Sequence, residues 1–163
     1  MDPELVSVSL LQSIPLFNDV PREHLDGMAR ISHLLMMKEG SEIFHEGDAR
    51  DFLYIVLEGR VALEIHIPNR GRLRILTVEP LEVLGWSSIA DAARRRTATA
   101  RAVAPGKLLA INADGLQKAC AEDPKLGFVI MNHVANVIAS RLIATRMQLL
   151  DMFANPPSEG SHG

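Results

Sequence analysis

The chain has 163 residues, 47% of them hydrophobic and 23% charged, which suits one domain with its own core and excludes a disordered chain. Seventeen Lys and Arg against twenty Asp and Glu leave a net charge of −3, which argues against bulk nucleic-acid binding, since that needs a positive field. A single cysteine, Cys120, excludes an intrachain disulfide and a cysteine-based zinc site. No apolar run reaches the ~18 residues of a membrane span. The acidic start Met1-Asp2-Pro3-Glu4 is unlike a basic export signal, so a reducing cytoplasm is the expected compartment and no membrane is an expected partner.

Residues 4–35 read as short helices broken by Pro15 and Pro21. Leu25, Met28, Ile31 and Leu35 fall near the 3.6 period, and Asn18 or Asp19 before Pro21 makes a helix start. From Lys38 to Asn112 short β-rich runs alternate with Gly-bearing turns. Residues 52–57 form an apolar run ending at Glu58-Gly59. Val61, Leu63, Ile65 and Ile67 then alternate with Arg60, Ala62, Glu64 and His66, the period of a strand with one wet face. Pro68-Asn69-Arg70-Gly71 supplies a turn, residues 72–78 return as its partner strand, and runs at 98–103 and 107–111 follow. Short strands at close spacing predict a sandwich or barrel rather than a βαβ sheet.

After Asn112 the pattern is helical. Asn112 caps a helix through Ala119, and Asp123-Pro124 is an N-cap with Pro at the first helical position. The helix that follows reaches Phe153, roughly 45 Å at 1.5 Å per residue. Phe128, Met131, Ala135, Ile138, Leu142, Thr145, Leu149 and Met152 follow the steps of a heptad seam, with Val129, Ile130, Val134 and Val137 as a second stripe. One stripe can pack on the β-body and the other needs a partner, so a homodimer through this helix is expected. The expected division is N-terminal helices over 1–37, the β-region over 38–112, C-terminal helices over 113–153, and a disordered tail over 154–163.

The segment from Gly85 to Ala100 holds the elements of a phosphate cradle. Ser87 and Ser88 suit a helix N-cap, and a helix start aims N–H groups at an anion. Arg96, eleven residues after Gly85, can fork onto two phosphate oxygens, and Thr97 adds a hydroxyl. In this context the chain resembles the cyclic nucleotide-binding domain family, which includes the catabolite activator and FNR-like regulators. The resemblance runs through Ile14-Pro15-Leu16-Phe17, Ile43-Phe44-His45-Glu46-Gly47-Asp48, the stretch Phe52-Leu53-Tyr54-Ile55-Val56-Leu57-Glu58-Gly59-Arg60-Val61, and Gly85 with Arg96-Thr97-Ala98. It implies a double-stranded β-helix, a jelly-roll-like β-roll with N-terminal helices and a long C-terminal helix. It also implies non-catalytic sensing of a cyclic nucleotide. On that resemblance the ligand site comprises Gly85, Trp86, Ser87, Ser88, Ile89, Arg96, Thr97 and Ala98. Arg96 pairs with the cyclic phosphate, and backbone N–H groups over Ser87, Ser88 and Ile89 cap it. Thr145 or Arg146 of the long helix lies near the purine, and Thr97 leaves cyclic AMP and cyclic GMP both open.

Two departures from the family pattern matter. Trp86 stands where the family has a ribose-binding Glu, so a charge-assisted bond of ~1.5–3 kcal/mol is missing. Affinity is then expected to be roughly ten- to a hundred-fold weaker, and a ligand-free interaction scaffold with an unknown protein partner is the alternative. After Phe153 too few residues remain for a recognition helix, so no DNA binding by this chain alone is expected. A cupin-like metalloenzyme is the remaining rival. It needs a His-x-His pair, and His24, His33, His45, His66, His133 and His162 contain none, so no metal, cofactor or catalytic residue is expected. Cys120 reads as a structural thiol beside acidic neighbours, and Tyr54 as a core residue.

Overall fold

A computed structural model describes residues 5–90 and 92–156. Helix α1, Val8–Gln12, is capped by Ser7, whose side chain accepts the Leu10 N–H. A single 3-10 turn, Pro15–Phe17, leads to α2, Arg22–Arg30. Then come β1, Ser32–Met37; β2, Glu42–Phe44; β3, Phe52–Ile67; β4, Gly71–Val78; and β5, Val83–Leu84. A second 3-10 turn, Trp86–Ser88, is followed by β6, Thr99–Asn112, then α3, Ala113–Glu122, and α4, Pro124–Ala154. All strand pairings are antiparallel, in the order β1-β6-β3-β4, with β2 also on β6 and β5 on β3. With helices at both ends, this is the expected β-roll.

Alternation along β3 and β6 gives the sheet a core on each face. Leu53 and Ile55 of β3, with Leu109 and Ile111 of β6, point to a helix-side core completed by Leu11, Phe17, Leu25, Leu116, Leu126, Ile130 and Val134. Tyr54 and Val56, with Leu108 and Ala110, point the other way, into the roll with Phe44, Val61, Val78, Leu84 and Ala100. The paired register Leu53↔Ile111, Tyr54↔Ala110, Ile55↔Leu109 and Val56↔Leu108 keeps like faces together. The unbroken apolar run 52–57 is thus a strand buried on both sides.

Several sequence expectations need correction. Residues 32–35 are not helical: β1 pairs from Ser32↔Ile111 to Met37↔Gly106, and the ladder offered by β6 outweighs a weak helical period. Helix α2 starts at Arg22 with Pro21 as its cap and no side-chain cap bond, so neither Asn18 nor Asp19 starts it. The breaks expected at Glu58-Gly59 and between 103 and 107 are bulges inside the continuous strands β3 and β6, where the register shifts. Gly59 is required there: its φ is +84°, and a Cβ would stand 2.6 Å from the Pro105 carbonyl oxygen. Helix α3 runs on to Glu122 rather than ending near Ala119.

Other local readings match. Pro68–Gly71 joins β3 to β4, with Asn69 and Gly71 at positive φ. Asn112 accepts the Gly115 N–H, and Asp123 accepts the N–H groups of Lys125 and Leu126, with Pro124 as the first residue of α4. By length and apolar composition α4 is long enough to cross a membrane, which the residue-by-residue count did not register. Its Leu126, Ile130 and Val134 are buried in the helix-side core. Of the expected tail, Ala154 ends α4, while residues 157–163, including His162, lie outside the described residues.

Candidate functional site

Strand β5 delivers the chain to Gly85, whose φ of +79° turns it into the 3-10 turn. A Cβ at Gly85 would meet the Arg96 guanidinium at 2.7 Å, so glycine here serves both the turn and the close approach of Arg96. Arg96 is 3% exposed. It donates to the carbonyls of Gly85 at 3.0 Å and Phe52 at 2.6 Å, while its Nε has no partner. Its guanidinium lies 4.3 Å from the Phe44 ring centroid and 5.6 Å from that of Tyr54. Burial lowers the Arg96 pKa, opposed by the nearby Tyr54 phenol and by Asp51 and Asp48. Tyr54 is itself buried, and burial raises its pKa.

Backbone bonds tie Arg96 to the β2–β3 loop: the Arg96 N–H donates to the Asp48 carbonyl, and the Gly47 N–H to the Arg96 carbonyl. A cleft of about 350 Å³ opens beside the guanidinium, lined by Ile43, Phe44, Asp48, Asp51, Phe52 and Tyr54 among others. A buried cation whose Nε–H is without a partner at a cleft wall can take an anion, because the bond it offers costs no further desolvation.

The structure gathers part of the expected site and separates the rest. Gly85, Ser87, Ser88 and Arg96 lie together and are buried. Ser87 and Ser88 are not N-caps: the cap position of the 3-10 turn is Gly85, with no side-chain bond, and the Ser88 hydroxyl has no partner. The N–H groups of Ser88 and Ile89 donate back to the carbonyls of Gly85 and Trp86. A turn of this kind leaves the N–H groups of Trp86 and Ser87 without partners inside it, so those two are the ones available to a phosphate. Ile89 belongs to the helix-side core, Ala98 to the roll interior, and Thr97 is exposed. Trp86 is half-buried and packs on the helix-side core. Thr145 and Arg146 are exposed, and the Thr145 hydroxyl donates to the Arg141 carbonyl at 2.8 Å.

Two arginines that sequence reasoning passed over hold this region. Arg50 donates to the carbonyls of Ser87, Ala90 and Ala93. Its setting in a polar loop gives no sign of this. Arg141 of α4 donates to the Val83 carbonyl, two residues before Gly85. Burial pushes its pKa down to about 10, opposed by Glu82. It borders a groove of about 580 Å³ between α4 and the β4–β5 connection. Here a signal existed: Arg141 is the one Lys, Arg, Asp or Glu between Lys125 and Arg146.

Elsewhere, Glu42 bonds Arg72 and Arg101 on the outer sheet, with Glu64 beside them, and His45 contacts Glu42 and Asp48. Among the described residues no group of three or more His, Cys, Asp or Glu is placed to hold a metal. Cys120 is half-buried, and burial raises its pKa.

Comparison with known proteins agrees with this geometry. The sequence matches the family described as cyclic nucleotide-binding domain over residues 35–123. It is similar to the CRP-like cAMP-activated global transcriptional regulator of Mycobacterium tuberculosis, 31% identical over 114 residues, covering 69% of this chain and 48% of that protein. It is also similar to the cyclic AMP receptor protein of Thermus thermophilus, 27% identical over 140 residues, covering 85% of this chain and 62% of that protein. The chain thus spans about half to three-fifths of the length of these relatives. A crystal structure of a putative cyclic nucleotide-binding protein from Geobacter metallireducens superposes with a TM-score of 0.75 at 31% identity, over 84% of this chain and 98% of the other.

Proposed function

Because this chain belongs to the cyclic nucleotide-binding domain family, a family of regulatory ligand-binding domains, we propose that it senses a cyclic nucleotide, cyclic AMP or cyclic GMP. The observation that carries this reading is Arg96. It is a buried guanidinium on the carbonyl of the left-handed Gly85, next to a cleft, with its Nε left without a partner. The cyclic phosphate would take Arg96 and the N–H groups at the start of the 3-10 turn, and the Thr97 hydroxyl lies beside them in sequence. The chain's own role is then binding rather than catalysis, with output through a change of assembly or of a partner.

The ribose hydroxyl would find no carboxylate at Trp86, and an indole N–H only donates. Affinity for ribonucleotides is therefore weakened, and a 2′-deoxy cyclic nucleotide would bind nearly as well as the ribo form. Calorimetric titration with cyclic AMP and cyclic GMP tests the reading. Arg96→Ala is expected to keep its fold and lose about 2–5 kcal/mol of binding. Equal affinities of wild type and variant would remove the phosphate role.

A second reading, a ligand-free scaffold, has support in the same residues. Arg96 is already bonded to two carbonyls and stacked on Phe44, and Trp86 packs into the protein. Absence of binding in wild type, together with binding by Trp86→Glu, would favour it.

For assembly, the reading is a homodimer through α4. Phe128, Met131, Leu142, Leu149 and Met152 are exposed at seam spacing, while Ile138 packs partly on the chain's own core. The molecular role of the whole protein, including any link to DNA, is a proposal by analogy with relatives of which this chain matches 48% and 62%.

A further inference from the structure

We propose that Arg50 is the positioning residue of the phosphate cassette, its Nη1 drawing the carbonyls of Ser87, Ala90 and Ala93 onto one point and holding the loop in its ligand-ready shape. The consequence for affinity rests on the nucleotide reading above, whereas the ordering of the loop rests on geometry alone. The nitrogen stands 2.8 Å from the Ser87 oxygen and 3.1 Å from that of Ala90, and Ala93 completes the set.

Between β5 and β6 the one regular element among the described residues is the 3-10 turn, which by itself leaves the stretch after Ser88 weakly determined. Among the described residues its internal backbone bonds there run from Ile89 to Trp86 and from Ala93 to Ala90. Half-buried carbonyls without partners would instead turn to water and carry the loop with them.

Arg50 comes from the β2–β3 loop that also frames Arg96. Gly47 accepts a bond from the Arg95 guanidinium at 2.9 Å, and the Gly47 and Asp48 backbone pairs with Arg96. One loop therefore anchors both ends of the cassette. Arg50 is also near enough to Arg96 to help lower its pKa, so an anion on Arg96 meets a second cation close by. Removing Arg50 would leave the ligand to order the loop on binding, which weakens affinity without removing a direct contact.

The test compares Arg50→Gln with Arg50→Lys. The lysine ammonium offers three N–H donors to three carbonyls, so it should restore what the glutamine variant loses. Arg94 and Arg95 are exposed, so trypsin cleavage after them, read by fragment mass, reports the order of the loop with no ligand present. Arg50→Gln should be cut there about tenfold faster with its far-UV circular dichroism unchanged, and Arg50→Lys close to the wild-type rate. In parallel, cyclic AMP titration followed by Trp86 emission should show affinity about tenfold weaker for Arg50→Gln and restored in Arg50→Lys. Unchanged cleavage in Arg50→Gln overturns the proposal, as does a loss that lysine does not restore. If wild type binds neither cyclic AMP nor cyclic GMP, the nucleotide reading fails, and the cleavage arm still decides the role of Arg50. Arg50→Met replaces the glutamine variant if that does not fold. Failure of both to fold would make Arg50 a residue of the whole fold and overturn its assignment to the cassette.

Discussion

The two halves of α4 are continuous in backbone and alike in composition, yet they live in different surroundings. In the first half Leu126, Ile130 and Val134 are buried at four-residue steps against the helix-side core. In the second half Leu142, Ile143, Met147, Leu149, Leu150, Met152 and Phe153 are all exposed, Leu142 by 58% and Phe153 by 78%. Arg141 lies between the two, bonding the Val83 carbonyl, and further on only Gln148 is seen to bond the β-roll, at the Ile75 carbonyl, among the described residues. The contrast teaches that apolar content says a face will be covered, while the covering surface must be looked for separately. The first half finds it within the chain for the face of Leu126, Ile130 and Val134, while Phe128 and Met131 stay exposed. The other presents an apolar patch of a kind that marks an interaction surface.

The largest difference between the halves should come from truncation. Ile130→Ala removes fully buried methyl groups and should cost about 2–5 kcal/mol in denaturant unfolding. Leu149→Ala should change the stability of the single chain by less than about 0.5 kcal/mol. Equal losses at both positions would erase the distinction.

Charge sharpens the comparison next. Leu142→Glu should leave the fold intact and convert a dimer into a monomer in sedimentation at tens of micromolar, roughly the range in which a weak helix seam is populated. A wild type that is already monomeric there would leave the second half of α4 without a copy of itself as its cover.

A smaller effect belongs to the start of the helix. Asp123 caps α4 through the N–H groups of Lys125 and Leu126, and its other oxygen lies 2.7 Å from His24 Nε2 of α2. Asp123→Ala should cost about 1 kcal/mol of thermal stability, the usual value of such a cap. Asp123→Asn should recover most of it, since an amide oxygen can accept the same bonds.

The smallest effect is a pH dependence at His133, which borders the groove beside Arg141. Burial lowers its pKa below the ordinary value of 6.5, so the fold prefers the neutral ring. The unfolded chain then takes up the proton first as pH falls. Stability is full above 6.5, decreases below it, and levels off once the folded protein is protonated as well. His133→Gln should flatten that slope in melting curves between pH 7 and about 5.

Much of the architecture was legible because the signals are local. Asn112 and Asp123-Pro124 announce helix starts by bonds made within three residues. The turn Pro68–Gly71 needs only its own φ angles, and the spacing from Gly85 to Arg96 lies within one loop. The strand β1 was read as helix because residues 32–35 carry a weak helical period, and the ladder that overrules it lies some seventy to eighty residues further on. A separation of some forty to fifty residues likewise hid the continuity of β3 and β6 through their bulges, where the partner strand absorbs the shift of register.

At the site the division is similar. Residue identity determined that Arg96 would be the cation, that Gly85 would make the turn, and that no carboxylate would stand at position 86. Only tertiary structure decided what those groups face. Arg96 turns onto the carbonyls of Phe52 and Gly85 because the roll interior around Phe44 and Tyr54 encloses it. Trp86 turns onto the helix-side core because apolar surface is available there. Arg50 has no local pattern that announces it, since its partners are carbonyls, which every residue carries, and the isolation of Arg141 on an apolar helix marks the residue without naming its partner. Local sequence sets which bonds a segment can make, but a hydrogen bond or an apolar contact has meaning only once a partner is in reach, and folding alone brings partners from distant parts of the chain within that reach.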